Sequence, residues 1–511
     1  MKKLSLIILL LICGQTGICQ KLLLTGTLKA AKGDSIEVNV PYDGNYWKKH
    51  SIYLKPGASG KFQISLPYST SKFIIVFYKD QQHLLLLSAE RPLHINISNK
   101  SPYTLSFSGK AKTENELLQK LKMESTENLP FVQDFKVNGY NSYTKWSIDS
   151  IISIKLPAIR HSLDSTLQLV KRAALPLREK NIIATEVRYY YANAISQDLG
   201  SRLNIRKNYV DFNTRFIDSV WANFSVPSKK ELDVSFSANS YLEMYCRFKT
   251  WKALFVYKQD KDKDHADQVF KNTTGVGLKE LNNDPDRTNE IYLFSTRVRA
   301  DLPPYAWEKN LANVLFRFCM QGQLQSAAKL LNFMRGNCLN KQYVAAGEKM
   351  FAPLKKARDQ YASNLGIKIR PDYTKISSVK SLLAPYGGKV VFIDMWGTWC
   401  PHCIEDMVFE PALKDRLKGK DVVFLYLAND EDKDDELWRD FIFINNLTGE
   451  HVRRTADQMA SLWNELGIAD SEQAYPHYFI FDRKGNVLIN NAKRPSDGDA
   501  LYNQLMAALN K

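Results

Sequence analysis

Cys400 and Cys403 are separated by Pro401 and His402, and the pair follows the apolar run KVVFIDMW after Gly397, Thr398 and Trp399. That run reads as a strand, which a tight turn connects to a helix starting at Cys400. Two cysteines so placed can form a small, reversible disulfide. The partial positive charge of the helix N-terminus favours a thiolate on Cys400, which is expected to face solvent. Cys403, within the first turn, is expected to lie deeper and to attack only once Cys400 has formed a mixed disulfide. Half of a zinc site is the rival reading, but zinc needs two more Cys or His ligands, and neither a second CxxC nor an HxxxH follows. A peroxidase would want a lone cysteine beside Thr and Arg, and no such cluster surrounds Cys400. No metal and no cofactor is expected. His402, on the exposed side of the helix, is placed to tune the thiolate.

Seven cysteines in 511 residues are too few for a disulfide framework. Cys13 and Cys19 belong to the leader described below, which leaves Cys246, Cys319 and Cys338 beside the reactive pair. Cys319 ends one expected helix and Cys338 follows the next, so their sulfurs should lie roughly 20 Å apart. A bridge needs Cα atoms within about 7 Å. All three are expected as small buried hydrophobes.

The elements that must position the pair form the last of three regions. Residues 366–511 alternate strands (KVVFIDMW, DVVFLYLAND, YPHYFIFD, NVLIN) with helices (DELWRDFIFINN, ADQMASLWNELG, DALYNQLMAALN), as in a central sheet covered on both faces. IKIRPDYTK is read as the linker into this region. Residues 20–110 hold short strand-like runs broken by KGDS, PGASGK, KDQQ and SNKSP, the pattern of an antiparallel sandwich or barrel. Residues 111–365 change to helical spacing, with LANVLFRFCM and LQSAAKLLNFMR as two arms about Gly322 and prolines 157, 176, 303 and 353 as expected kinks or breaks. Tyr189, Tyr190 and Tyr191 are expected to pack in a core rather than to form a binding surface. The fold class is thus multidomain: an all-β sandwich-like domain, an all-α region and a C-terminal α/β domain.

Residues 1–19 place two lysines before an apolar run and a short polar exit, the layout of a secretory signal peptide. The apolar run is too short for a membrane-spanning helix of roughly 20 residues. The protein is therefore expected in the periplasm, with a retained anchor as the alternative. Lysine and arginine number 70 against 54 acidic residues, but the basic residues are scattered and form no nucleic-acid motif, so nucleic acid is not an expected partner.

The segment Ile393-Asp-Met-Trp-Gly-Thr-Trp-Cys-Pro-His-Cys403 resembles the thioredoxin superfamily, and more closely its TlpA- and ResA-like secreted branch. Trp399 before Cys400 matches the family's WCxxC, and Trp396 with Gly397 matches the usual lead-in. The stretch from Asp430 to Thr455, with Trp438 and then NLTGEH, resembles the extra helical segment of that branch. Tyr475-Pro476, opening YPHYFIFD before a DRKGNV turn, falls where the family carries its cis-proline. LLSAERPLHINI with LSFSGKAKTENELL resembles the β-rich module that precedes thioredoxin domains in secreted proteins of the Bacteroidota. The resemblance implies a cis bond at Pro476 that offers the backbone of Tyr475 to an extended substrate chain, with Trp399, Pro401 and His402 completing the substrate-binding surface. It also places Asp394 where thioredoxins keep a buried acid able to take the proton of Cys403. The alternative for Asp394 is a strand-edge carboxylate bound to backbone.

Two positions depart from the family pattern. His477 replaces the usual Thr after the cis-proline, and the Glu and Pro that often follow the second cysteine are replaced around Asp406 and Val408. Both leave substrate preference open. His477 and His451 read as surface or satisfied residues. The resemblance implies a thiol-disulfide oxidoreductase acting as reductase or isomerase on protein thiols or disulfides of the cell envelope, kept reduced by a membrane electron donor. The Pro-His dipeptide resembles that of DsbA-like oxidases, so an oxidase is one alternative. A partner-binding envelope protein with the domain as scaffold is another.

Overall fold

The computed structural model describes residues 21–28, 34–40, 51–125 apart from 69, 80 and 102, 129, 147–199, 215–274, 277–282, 302–469 and 472–511. The leader lies outside these residues. Among them no helix is long and apolar enough to cross a membrane. The chain divides into two compact units, Met1–Val314 and Leu315–Lys511.

Among the described residues the first unit opens with eight strands: β1 (Leu22–Leu28), β2 (Ile36–Asn39), β3 (Ile52–Leu54), β4 (Lys61–Leu66), β5 (Lys72–Tyr78), β6 (Gln81–Leu87), β7 (Leu93–Ile97) and β8 (Leu105–Gly109). They form two four-stranded sheets, ordered β4-β1-β7-β8 and β3-β2-β5-β6. β4, KFQISL, alternates exposed and buried residues along its whole length, as a strand with one face on a core must. Side chains from both sheets, among them Leu24, Ile36, Val76 and Ile95, fill one apolar core. The antiparallel expectation fails at one place, since β1 and β7 run parallel. β3, only three residues long, was not foreseen.

Helices follow, including Leu156–Arg172, Leu177–Asn193 and Phe236–Gln259. Tyr189, Tyr190 and Tyr191 are buried, as the sequence suggested. Cys246, Cys319 and Cys338 are buried and are not joined in a disulfide. Burial pushes the Cys319 thiol up to about 12, so it stays protonated.

The second unit is built on a six-stranded sheet, ordered β14-β13-β10-β11-β12-β9. Its strands are β9 (Ile367–Ile369), β10 (Val390–Trp396), β11 (Val422–Asn429), β12 (Gly449–Arg454), β13 (His477–Phe481) and β14 (Val487–Ile489). β10 pairs parallel with β11 and antiparallel with β13, and every one of its residues is buried. Strands covered on both faces read as continuous apolar runs, which is why Asp394 stands out within VVFIDMW.

Two sequence expectations are corrected here. IKI, read as linker, forms the edge strand β9. The segment read as helical from Asp430 to Thr455 contains the helix Asp435–Ile444 but then closes with strand β12, GEHVRR. Arg453 can be buried because it is paired, meeting Asp432 at 2.8 Å and Asp435 at 3.2 Å. Gly449 opens this strand at φ 139°, where a Cβ would come within 2.8 Å of the Phe424 carbonyl oxygen.

The helices Leu324–Asn337 and Lys341–Tyr361 also belong to the second unit. The latter runs on through Pro353, forgoing the one intrahelical bond that proline cannot donate. Arg358 Nε donates to buried Asp440 Oδ1 at 3.0 Å on the helix Asp435–Ile444, and Tyr361 packs against the cluster holding both reactive cysteines.

A fragment starting at Leu315 is therefore expected to be more stable than one starting at residue 366, although both should fold. The loss of the Arg358 partner alone should cost about 2 kcal/mol. Urea unfolding of the two fragments measures this, and equal free energies would show that the two helices add nothing to the sheet domain.

Candidate active site

The turn after β10 is shaped by contacts that leave no room for another side chain. A Cβ on Gly397 would lie 2.5 Å from Trp399 Nε1 and 3.0 Å from the Asn429 carbonyl oxygen. Trp399 Nε1 donates to that carbonyl at 2.7 Å, while the indole remains 57% exposed. Cys400 then caps the helix Pro401–Met407, its Sγ accepting the backbone N–H of Cys403 at 3.2 Å. A disulfide joins the two residues.

Cys403 is fully buried, as expected, but Cys400 does not face solvent: only 3% of it is exposed. Capping turns its sulfur inward onto the first helical turn, where it belongs to one apolar cluster with Trp396, Met407, Tyr426 and Phe441. Pro401 and His402 are exposed, with His402 Nδ1 3.4 Å from Glu405.

The Tyr475–Pro476 bond is cis, as the resemblance implied. The Tyr475 ring packs edge-on to Trp399, centroids 5.3 Å apart, and adjoins the cluster that holds the cysteines. Trp399, Tyr475 and the cysteine pair are thereby brought together. His477 is nearly buried rather than on the surface, bonded through Nε2 to the Asn490 carbonyl at 2.6 Å and stacked on Phe479. His451 is fully buried and satisfied at Nε2, which donates to the Leu447 carbonyl at 2.7 Å. Its ring stacks on Tyr426, centroids 4.8 Å apart.

Asp394 is not the backbone-bound edge residue of the alternative reading. It is buried on a central strand, where no N–H or hydroxyl donor reaches either carboxyl oxygen and the hydrogen-bonding neighbour is the Glu410 carboxyl. Burial raises its pKa well above the carboxylate range, and the nearby carboxyls of Glu410 and Asp406 push it the same way. Its register partners are Tyr426 on β11 and Tyr478 on β13. Each tyrosine hydroxyl donates to an acid carried by the helices after the cysteines. Tyr426 bonds to Glu410, and Tyr478 to Asp406 Oδ2 at 2.8 Å. The two outer acids have cations: Lys414 Nζ lies 3.1 Å from Glu410, and Arg494 Nε lies 2.6 Å from Asp406. Burial raises both tyrosines far above the phenol range, so both stay protonated.

This row can store a proton under the cysteine helix while keeping neutralising charge at its ends. Sequence reading found Asp394 and noted Asp406 only as a departure; it missed Glu410, Lys414, Tyr426, Tyr478 and Arg494. A weak signal existed, since Glu410 and Lys414 are four residues apart on one helix. Nothing local pairs Arg494 with Asp406 across 88 positions.

Residues 364–504 match the Redoxin family. The chain is 28% identical over 115 residues to the thiol-disulfide oxidoreductase ResA of Bacillus thuringiensis (strain Al Hakam) and to that of Bacillus anthracis, covering 22% of this chain and 61% of each relative. The chain thus spans less than two thirds of the length of these curated relatives. The thioredoxin domain of a thiol-disulfide oxidoreductase from Bacteroides vulgatus is similar at 22% identity, with a TM-score of 0.21 and coverage of 24% of this chain and 82% of that one. A thiol:disulfide interchange protein from Bacteroides sp. is similar at 21% identity, with a TM-score of 0.21 and coverage of 25% and 78%.

Burial lowers the pKa of His451 to about 3, whereas an unfolded histidine titrates near 6.5. The unfolded chain therefore takes up a proton that the folded chain refuses. The stability this histidine carries is complete above about pH 6.5 and is lost as pH falls toward 3. His451→Gln should lose about 2–3 kcal/mol less than the wild type on going from pH 7 to about 4.5. Denaturant unfolding of both chains at the two pH values measures this, and equal losses would refute it.

Proposed function

We propose that this chain, whose C-terminal region is a redoxin domain of thioredoxin fold, is an exported thiol-disulfide oxidoreductase acting on protein thiols and disulfides of the cell envelope. The observation that carries the reading is the Cys400–Cys403 disulfide at the head of a helix whose Asp406 lies near the buried Asp394.

In the reducing direction, the Cys400 thiolate attacks a sulfur of the substrate disulfide. One substrate thiolate leaves and takes a proton from solvent, and Cys400 is left in a mixed disulfide. Cys403 then gives its proton to the Asp394 carboxylate and attacks Cys400 Sγ. The second substrate thiolate departs, and the Cys400–Cys403 bond forms. Two electrons have passed from the cysteine pair to the substrate. A membrane electron donor restores the dithiol, and Asp394 returns its proton as the Cys403 thiolate is released.

Partner recognition falls to the surface around the pair. Trp399, Tyr475, Pro401 and His402 border the disulfide, and Pro476 shapes the backbone beside it. Cys400 is nearly buried, so a partner must seat against the exposed Trp399 before sulfur reaches sulfur. The sandwich and the helices of the first unit would then select or hold partners.

The direction of electron flow follows from two opposed influences on the cysteines. The Pro-His dipeptide favours a stabilised thiolate and a potential above thioredoxin's, about −270 mV. Asp394 disfavours a second negative charge beneath the pair and holds the potential below about −120 mV, the value of a strong oxidant. An intermediate potential suits net reductase or isomerase work.

In the full chain, Cys403→Ser should accumulate mixed disulfides with envelope proteins that only added thiol releases. Asp394→Asn should slow insulin reduction about a hundredfold while leaving the melting temperature unchanged or higher. Equilibration with glutathione buffers reads the potential. No insulin turnover by the wild type, together with no trapping by Cys403→Ser, would reject the enzyme reading in favour of a scaffold.

A further inference from the structure

Asp430 directly follows β11 and is buried, and its carboxylate faces the turn that delivers Cys400. Both of its oxygens lie 3.2 Å from the backbone N–H of Thr398, and Oδ1 also accepts the Thr398 hydroxyl at 2.6 Å. The adjacent Asn429 carbonyl accepts the Trp399 indole N–H at 2.7 Å. Three donors of residues 398 and 399, two positions and one position before the reactive cysteine, thus end on residues 429 and 430. Asp430 is itself anchored from β12. Its N–H donates to the Arg454 carbonyl at 3.1 Å, and its carbonyl accepts from Arg453 Nη1 at 2.9 Å.

Charged and titratable groups surround this carboxylate on several sides. Asp434 opposes its charge, and the Arg453 guanidinium favours it; Tyr475 lies on the β13 side. Asp432 and Asp435 hold Arg453, Glu431 accepts the Ala456 N–H, and the Arg454 guanidinium binds the Tyr373 carbonyl. The balance favours the acid form: burial raises the Asp430 pKa to about 7, while the bonds from Thr398 pull the other way.

We propose that Asp430 is a positioning residue for Cys400: its ionised carboxylate holds the Thr398–Trp399–Cys400 turn in the geometry for exchange, and a proton on it releases the turn. A carboxylate accepts both Thr398 donors at full strength, whereas a carboxylic acid spends one oxygen on its own proton. The inference rests on Cys400 being the exchanging thiol. It adds a second titration to the reaction, near neutral pH and separate from that of the thiol.

The test is the second-order oxidation of the reduced full chain by glutathione disulfide at about pH 8 and about pH 6. Asp430→Asn is expected to react about tenfold more slowly than wild type at the higher pH. At the lower pH it should match wild type within about twofold, because there the wild-type carboxyl is already protonated. Thr398→Val, which removes one donor and keeps the charge, should show a smaller loss of the same pH pattern, and Thr398→Ser should restore the rate. An Asp430→Asn chain at least as fast as wild type at pH 8 would make Asp430 a mere electrostatic burden and overturn the proposal. Equal slowing at both pH values would do the same, as a general packing defect. If Asp430→Asn does not fold, equal rates for Thr398→Val and Thr398→Ser at pH 8 overturn it instead. Glutathione disulfide is small, so the result does not depend on protein substrates. A wild-type Cys400 that fails to react at all would sink the oxidoreductase reading rather than this one.

Discussion

A carboxyl group on a central strand, covered on both faces and met by another carboxyl rather than by an N–H or hydroxyl donor, is the constraint that organises the C-terminal unit. Taking an ionised carboxylate out of water is costly, so the group binds a proton more tightly than it would in water. Asp394 is in that position. Its neighbours must then neither solvate it nor leave charge exposed beside it. The structure meets this with a row across three strands, in which Tyr426 and Tyr478 flank Asp394 and turn their hydroxyls toward Glu410 and Asp406. Lys414 and Arg494 lie at the outer ends, where their charges reach water.

The cysteine pair inherits its setting from that row. The helix that starts at Cys400 also carries Asp406, so the bond from Tyr478 ties the helix to the sheet three residues after Cys403. On the other side of Cys400, the turn is tied to the end of β11 through Thr398 and Trp399. The disulfide is thus held by two sets of polar contacts, one buried beneath it and one beside it. An almost fully buried Cys400 is compatible with exchange because the exposed Trp399 offers a partner somewhere to dock first.

Much of this was legible along the chain. The CxxC spacing, the strand before it and the Tyr-Pro step are local patterns, and each matches the structure. Short or polar elements were not legible. β9 has three residues and ends two positions before Pro371, so nothing in its own sequence separates it from linker. GEHVRR carries four charged or titratable residues in six, yet it lies inside the sheet because Asp432 and Asp435 meet Arg453. The parallel pairing of β1 with β7 was equally hidden, since register between distant strands is decided by the shared core rather than by either strand.

The sequence by itself determined which atoms can do chemistry: two thiols three positions apart, an acid inside an apolar strand and a proline able to adopt the cis form. These depend on residue type and short spacing, which the chain carries wherever it folds. Tertiary structure alone decided how that chemistry is tuned. Arg494 reaches Asp406, Tyr426 reaches Glu410 and Asp430 reaches Thr398 across 88, 16 and 32 positions. Each contact acts on its acid through burial and direct hydrogen bonding, and neither exists until the sheet is assembled.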